Sequence, residues 1–215
     1  MNIILAIDVM YFTGLSFLVT VSRTMGFITV SFLRDRKKKT IVDALKQVIT
    51  VYKGKGHSVL MMNFTEQNQP VHKILGDNEF EAIRESMTEM GIEVNVRAKE
   101  EHVPEIKRQH RVIKERARAV IQTLPYRRMP KKMRIALLQN VIFWLNNIPK
   151  MGQDHSPRDL VCGEQVLNFK TVCRIPFGAY AQVHDDQNVT NTMASRTTGA
   201  ISLVQLEIFR ERIDL

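Results

Sequence analysis

Cysteine is nearly missing from this chain. Only Cys162 and Cys173 occur in 215 residues, too few for a disulfide framework, and no Cys-x-x-Cys pair exists to seed a zinc ribbon or knuckle. The six histidines (His57, His72, His102, His110, His155 and His184) stand singly, none paired at zinc-ligand spacing, and each reads as an exposed or packed residue. Long hydrophobic runs are also lacking. The longest, residues 3–7 and 15–21, fall far short of the roughly 20 residues that cross a bilayer. Asp8 interrupts the first run and no basic segment precedes it, so the start does not read as a secretory signal and an intracellular protein is expected. Gly-x-Gly-x-x-Gly, P-loop and Gly-x-Ser-x-Gly motifs are missing, which removes the sequence support for dinucleotide, nucleotide-triphosphate and serine-hydrolase chemistry. Acidic residues are outnumbered: 22 Asp and Glu face 31 Lys and Arg, a formal net charge of +9. That excess favours a polyanionic partner, and nucleic acid is preferred over simple solubility charge.

What is present suits a folded α/β domain, with 44% apolar and 25% charged residues. Residues 2–10 are dense in branched apolar side chains and predict a buried strand. Leu15–Ser22 and residues 27–33 predict two more, joined by short turns at 11–14 and 23–26 into an antiparallel meander. Thr40 with Asp43 resembles a capping box ahead of a helix carrying Ile41, Leu45, Val48 and Tyr52. Residues 58–62 predict a strand, 65–70 a loop, 71–75 a short apolar run, 78–90 a helix and 92–98 a half-buried strand. Pro104 opens a long helix to about Leu124, with Ile106, Ile113, Ala117, Val120 and Leu124 as its apolar stripe. A further helix runs between Pro130 and Pro149. Its Phe143 and Trp144 read as core. Beyond Met151, a short helix is expected at Pro157–Cys162 and strands at 172–183 and 199–206, with a turn at Asp185-Asp186. Three antiparallel strands followed by alternating helices and strands is the order of a ribonuclease-H-like α/β fold: a mixed five-stranded sheet flanked by helices, here with a small β-rich C-terminal appendage.

Three acids sit where such a sheet builds sites. Asp8 lies inside an otherwise apolar strand, where an uncompensated carboxylate costs several kcal/mol, so it calls for a cation or a hydrogen-bond network. Asp77 follows Gly76 at the end of the run 71–75; it reads equally as the N-cap of the helix behind it. Glu105 lies in the first turn of the long helix, where the helix dipole favours negative charge on its own account. Converging, the three would ligate Mg²⁺ or Mn²⁺ through hard oxygens. Two such ions serve in-line phosphoryl displacement without a covalent intermediate.

The helix behind Glu105 is basic. Lys107, Arg108, Arg111 and Lys114 lie along it with Gln109, and Arg108 and Gln109 share the face of Glu105. These five residues are expected to contact DNA, at phosphates and at a base edge. A second cluster, Arg127, Arg128, Lys131, Lys132 and Arg134, is suited to tracking a duplex backbone. A third, Arg34 and residues 36–39, reads as a solvated loop.

These residues resemble a known family. Ile7-Asp8-Val9-Met10 followed by Phe17-Leu18-Val19-Thr20-Val21-Ser22-Arg23 looks like the opening of a copia-type retrotransposon integrase core. Gly76-Asp77-Asn78-Glu79-Phe80-Glu81 resembles its Asp-x-x-Glu-Phe segment. The run from Glu105 to Arg118 is similar to its Glu-Arg-x-Asn-Arg-Thr-x-x-Glu-x-Ala-Arg helix. Ser156-Pro157-Arg158-Asp159-Leu160-Val161 and Pro176-Phe177-Gly178-Ala179-Tyr180 resemble the segments that follow the core. The resemblance covers roughly residues 3 to 200. It implies a ribonuclease-H-like catalytic core at 1–150 and a post-core extension at 151–215. It also implies two divalent metals on Asp8, Asp77 and Glu105, and processing and joining of element DNA 3′ ends. Double-stranded DNA is the implied partner, a homo-oligomer the implied active state, and the nucleus or a cytoplasmic element particle the implied location. No membrane partner is expected. The chain departs from the pattern in its short Asp77-to-Glu105 spacing, which leaves Glu101 as a rival to Glu105, in having no upstream His/Cys zinc domain, and in an unmatched end at 203–215. The first strand begins at the initiator, so a fragment of a longer polyprotein is expected. A degenerate, non-catalytic nucleic-acid-binding relic is the alternative reading, and a ribonuclease H acting on RNA–DNA hybrids is a third.

Overall fold

Branched apolar residues, consecutive rather than strictly alternating, suit a strand covered on both faces. In the computed structural model, which describes residues 2–64, 77–96, 104–163, 167–184 and 196–203, they form β1 (Asn2–Phe12), the middle strand of a five-stranded sheet. A two-residue turn follows in which Thr13 and Gly14 both take positive φ, 47° and 79°. That conformation matches the strand twist of a tight hairpin, and a glycine second in the turn adopts it freely. Arg134 clamps the turn from a distant helix by donating to the Thr13 carbonyl at 2.6 Å. The chain returns as β2 (Leu15–Ser22), antiparallel to β1, and again as β3 (Ile28–Leu33).

Helix α1 (Lys38–Gly54) buries Ile41, Leu45, Val48 and Tyr52, the stripe expected from the sequence. Its start differs from the expected capping box. The helix begins two residues before Thr40, and the Thr40 hydroxyl donates to Asp35 at 2.6 Å, because Asp35 is the nearer acceptor in the preceding turn. Strand β4 (Ser58–Phe64) then lies parallel to β1, and β5 (Glu93–Val96) parallel to β4, with α2 (Asp77–Thr88) between them. The sheet order is β3-β2-β1-β4-β5. Helices α3 (Pro104–Thr123) and α4 (Lys131–Asn147) complete the core.

Alternation along β1 separates two apolar cores. Ile3, Leu5 and Ile7 pack with α1 and with Ile83 and Met87 of α2. Ala6, Met10 and Phe12 face the other way, onto Ile106, Ile113 and Ala117 of α3 and onto α4. Burial of this kind is worth roughly 1.5–3 kcal/mol per large apolar side chain. Strand β3 is an edge, and Asn146 of α4 covers part of it: its side-chain oxygen accepts from the Ile28 N–H at 2.9 Å and its amide donates to the Ile28 carbonyl at 2.7 Å. Phe143 and Trp144, half-buried, meet edge to face with ring centres 5.2 Å apart.

The segment after α4 is tied to the core. Helix α5 (Pro157–Cys162) starts with a Ser156–Asp159 capping box, and its Val161 enters the α1-side core. Arg158 is buried and donates to Asn147 at 3.2 Å. The expected strand over 172–183 is shorter. Residues 169–172 form a helical turn, α6 (Phe169–Val172), and Pro176 and Gly178 delay extension until β6 (Tyr180–His184). Strand β7 (Thr197–Ile201) pairs with it antiparallel and ends before the expected position 206. This small sheet connects to the α3–α4 corner, where Tyr126 donates to the Gly178 carbonyl at 2.9 Å. The loop expected at 65–70, the run 71–75, the turn at Asp185-Asp186 and nearly all of the end at 203–215 lie outside the described residues.

Candidate active site

Pairing fixes where Asp8 points. It sits opposite Val19 of β2, one residue beyond the last pair between β1 and β4, Ile7 with Phe64. It therefore lies at the carboxyl edge of the parallel strands, where open α/β sheets bind ligands. Its parity along β1 is that of Ala6 and Met10, so the carboxylate faces α3. Only 5% of the residue is exposed. One oxygen accepts the Val9 N–H at 2.8 Å.

Helix α3 brings His110 to this carboxylate, with Nδ1 3.6 Å from Oδ2. That is too long for a hydrogen bond. Burial, with Lys114 one turn further on, pushes the His110 imidazole down to about 4, so at neutral pH an uncharged ring faces the acid. Its Nε2 is buried and has no hydrogen-bond partner among the described residues. Reading the histidines one by one missed this contact. A signal existed: Ile106 and Ile113 leave a gap at position 110 in the buried stripe, and a histidine in such a gap faces whatever the strand presents there.

Glu105 is placed differently. It is the second residue of α3, and its carboxylate meets Arg23, just beyond β2, at 3.4 Å. Its side chain is 48% exposed. The Arg23 N–H bonds to the Ile4 carbonyl at 3.0 Å, so the arginine is rooted near the start of β1, not beside Asp8. The sequence had marked Arg23 only as part of a tight connection. Asp77 is the first residue of α2, not a cap preceding it; its side chain is outside the described set, as is Glu101. Among the described residues no three acids, histidines or cysteines gather as a metal-binding group. The structure thus pairs Asp8 with His110 and Glu105 with Arg23, and puts Asp8 on the sheet face that α3 covers.

The remaining expected DNA contacts lie on α3. Lys107 and Arg108 are exposed, and Gln109 and Lys114 half-buried. Arg111 is exposed but engaged, donating to Glu115 at 2.8 Å, which holds its guanidinium pKa up.

A central strand flanked by one antiparallel and one parallel neighbour, with α1 on one face and α3 and α4 on the other, defines a ribonuclease-H-like α/β fold of the integrase-core type. A solved structure of that type, the catalytic core domain of BIV integrase, matches with a TM-score of 0.54 at 16% identity, over 74% of this chain and 92% of that one. At that identity the likeness is one of fold. No protein-family model matches the chain, and no curated protein sequence does.

Proposed function

We propose that the chain is the catalytic core of a copia-type retroelement integrase, a divalent-metal-dependent polynucleotidyl transferase. It would process element DNA 3′ ends and join them to target DNA. The observation that carries this reading is Asp8: a carboxylate buried at the carboxyl edge of the central strand, facing a basic helix, in a fold like that of an integrase catalytic core. A buried acid among apolar neighbours suits a hard cation. Asp8, Asp77 and Glu105 would hold two Mg²⁺ or Mn²⁺ ions, which requires Glu105 to leave Arg23 and turn toward Asp8, because no such group is gathered among the described residues. Such ions, when bound, activate the attacking oxygen and stabilise the leaving one. Arg108 and Gln109, with Lys107, Arg111 and Lys114, would hold DNA along α3. A homo-oligomer would bring two DNA ends together, in the nucleus or an element particle.

The test is Mg²⁺- or Mn²⁺-dependent nicking or joining of a DNA end oligonucleotide. Loss of activity in Asp77→Asn is the expected result, and full activity in that variant would overturn the assignment. One observation favours a second reading, a relic that binds nucleic acid without cutting it: Glu105 is satisfied by Arg23. That reading predicts salt-dependent duplex binding with no metal-dependent cleavage at any ion concentration.

A further inference from the structure

Two stretches of sequence read separately, residues 34–39 and 127–134, meet at one end of the sheet. Together they hold ten Lys or Arg against a single Asp, a net of +9, which equals the formal excess of the whole chain. The rest of the molecule carries 21 residues of each sign. The net excess of these 14 residues thus equals that of the whole chain, the other Lys and Arg being matched in number by Asp and Glu.

Four contacts fix the two stretches about the β1–β2 turn. Arg36 donates to the Tyr11 hydroxyl and stacks on that ring, 5.6 Å from its centre. Arg34 directly follows Leu33, whose partner is Ser16 at the start of β2. Lys131 sits 4.6 Å over the ring of Phe32. Arg134 holds the Thr13 carbonyl at 2.6 Å. By strand parity Tyr11 faces the α1 side and Phe32 the α4 side, so the clusters flank the end of one sheet from its two faces. A single sheet layer lies between them. The lone acid, Asp35, is exposed and accepts from the Thr40 hydroxyl and the Lys37 N–H of its own loop. None of the ten cations is in an ion pair among the described residues. Arg34, Lys37, Lys39, Arg127, Arg128 and Lys132 are exposed.

Ten like charges held together repel one another and lower the stability of the fold, unless a polyanion neutralises them. We infer that residues 34–39 and 127–134 form one binding surface for the phosphate backbone of duplex DNA, separate from the α3 residues beside Asp8. Duplex DNA carries one negative charge per ~1.7 Å of axis, so a segment crossing this end of the sheet presents phosphates to both clusters. The surface offers no isolated amide or carboxylate reader, so the contact is independent of sequence. The five residues from Asp8 to Thr13 span about 16 Å, which places this surface beside the proposed active site on the same strand. The inference does not require that site to be catalytic.

The test uses the full chain and a fluorescent 20-base-pair duplex, with anisotropy read across a salt series without divalent metal. Two triple variants neutralise one cluster each: Arg34→Gln/Lys37→Gln/Lys39→Gln, and Arg127→Gln/Arg128→Gln/Lys132→Gln. A control, Lys46→Gln/Lys53→Gln/Lys55→Gln, removes three exposed charges from α1 and its C-cap. Each cluster variant is expected to bind at least tenfold more weakly and to flatten the log K against log salt slope by up to about 2.7, three phosphates at ~0.9 each. The control is expected to stay within twofold of the parent, and thermal melts to show all three folded. An equal loss in the control, or an unchanged slope in either cluster variant, would overturn the inference. Binding to anionic phosphatidylserine vesicles with none to the duplex would overturn it too. A parent chain that binds the duplex with the expected salt slope but never nicks it with Mg²⁺ or Mn²⁺ defeats the catalytic reading and leaves this surface standing.

Discussion

The two faces of the central sheet are both closed by helices, but they bury different chemistry. On the α1 face the buried polar side chains of the strands are neutral among the described residues, and a representative pair satisfies itself: the hydroxyls of Thr20 and Thr29 lie 2.8 Å apart across β2 and β3. On the α3 face an ionisable acid, Asp8, is buried against an ionisable ring, His110. A hydroxyl pair needs nothing further from outside. A carboxylate under a helix does, because its desolvation is repaid only by a charge or by several hydrogen bonds. One face of the sheet therefore buries hydroxyls that complete one another, and the other buries an ionisable acid beside an ionisable ring.

Substitutions on the two faces should separate these roles. The largest effect is expected from Asp8→Asn, which keeps the shape and removes the charge. Metal-dependent nicking should fall on the order of a thousandfold, as when a charge-stabilising group is lost from a reaction centre. The melting temperature should hold or rise, because a buried charge has gone. A variant that loses activity only in proportion to its loss of folded protein would make Asp8 structural and erase the contrast. Leu45→Ala on the opposite face should do the reverse. Leu45 is fully buried in the α1-side core, so its truncation should cost about 2–5 kcal/mol in denaturant unfolding while activity per folded molecule stays near the parent's. Asn146→Leu should fall between. It leaves the Ile28 N–H and carbonyl without their partners, a loss of roughly 1–3 kcal/mol, and it opens part of the β3 edge, which light scattering on heating would register as earlier self-association.

Much of this contrast was legible in the sequence, and the part that was not has a physical reason. Period-2 and period-3.6 patterns report which residues are buried, so the meander, α1, α3 and α4 emerge directly from them, and the short helix α5 stands where it is expected, at Pro157–Cys162. The same patterns identify Asp8 as an acid among apolar residues. They do not report what lies across from a residue. His110 looked like one charge among many on a basic helix because its partner is 102 positions away. Arg23 looked like part of a turn for the same reason, its partner lying 82 positions on. Thr40 misled because a local acceptor, Asp35, outcompeted the helix end for its hydroxyl. The loop 34–39 read as solvated because its charges gain meaning only beside residues 127–134, which nothing short of the folded chain places next to it.

The smallest effect expected is also the one that decides whether the α3 face is poised for chemistry. Arg23 and Glu105 form a partly exposed ion pair, the kind worth a few tenths of a kcal/mol once solvent screening is counted. Arg23→Gln should accordingly leave the unfolding free energy almost unchanged. If Glu105 belongs with Asp8, however, Arg23 competes with metal for its carboxylate, and removing the competitor should lower the Mn²⁺ concentration at half-maximal nicking by up to about fivefold, the upper range for such a pair. Glu105→Gln should raise that concentration or abolish activity. The pair of variants is informative because the two residues touch each other. A structural ion pair would make both variants alike, each slightly less stable and neither changed in its metal requirement. Opposite shifts in the metal requirement at equal stability would mean that Glu105 is held in reserve at the end of α3, and that the difference between the two faces of the sheet is one of function.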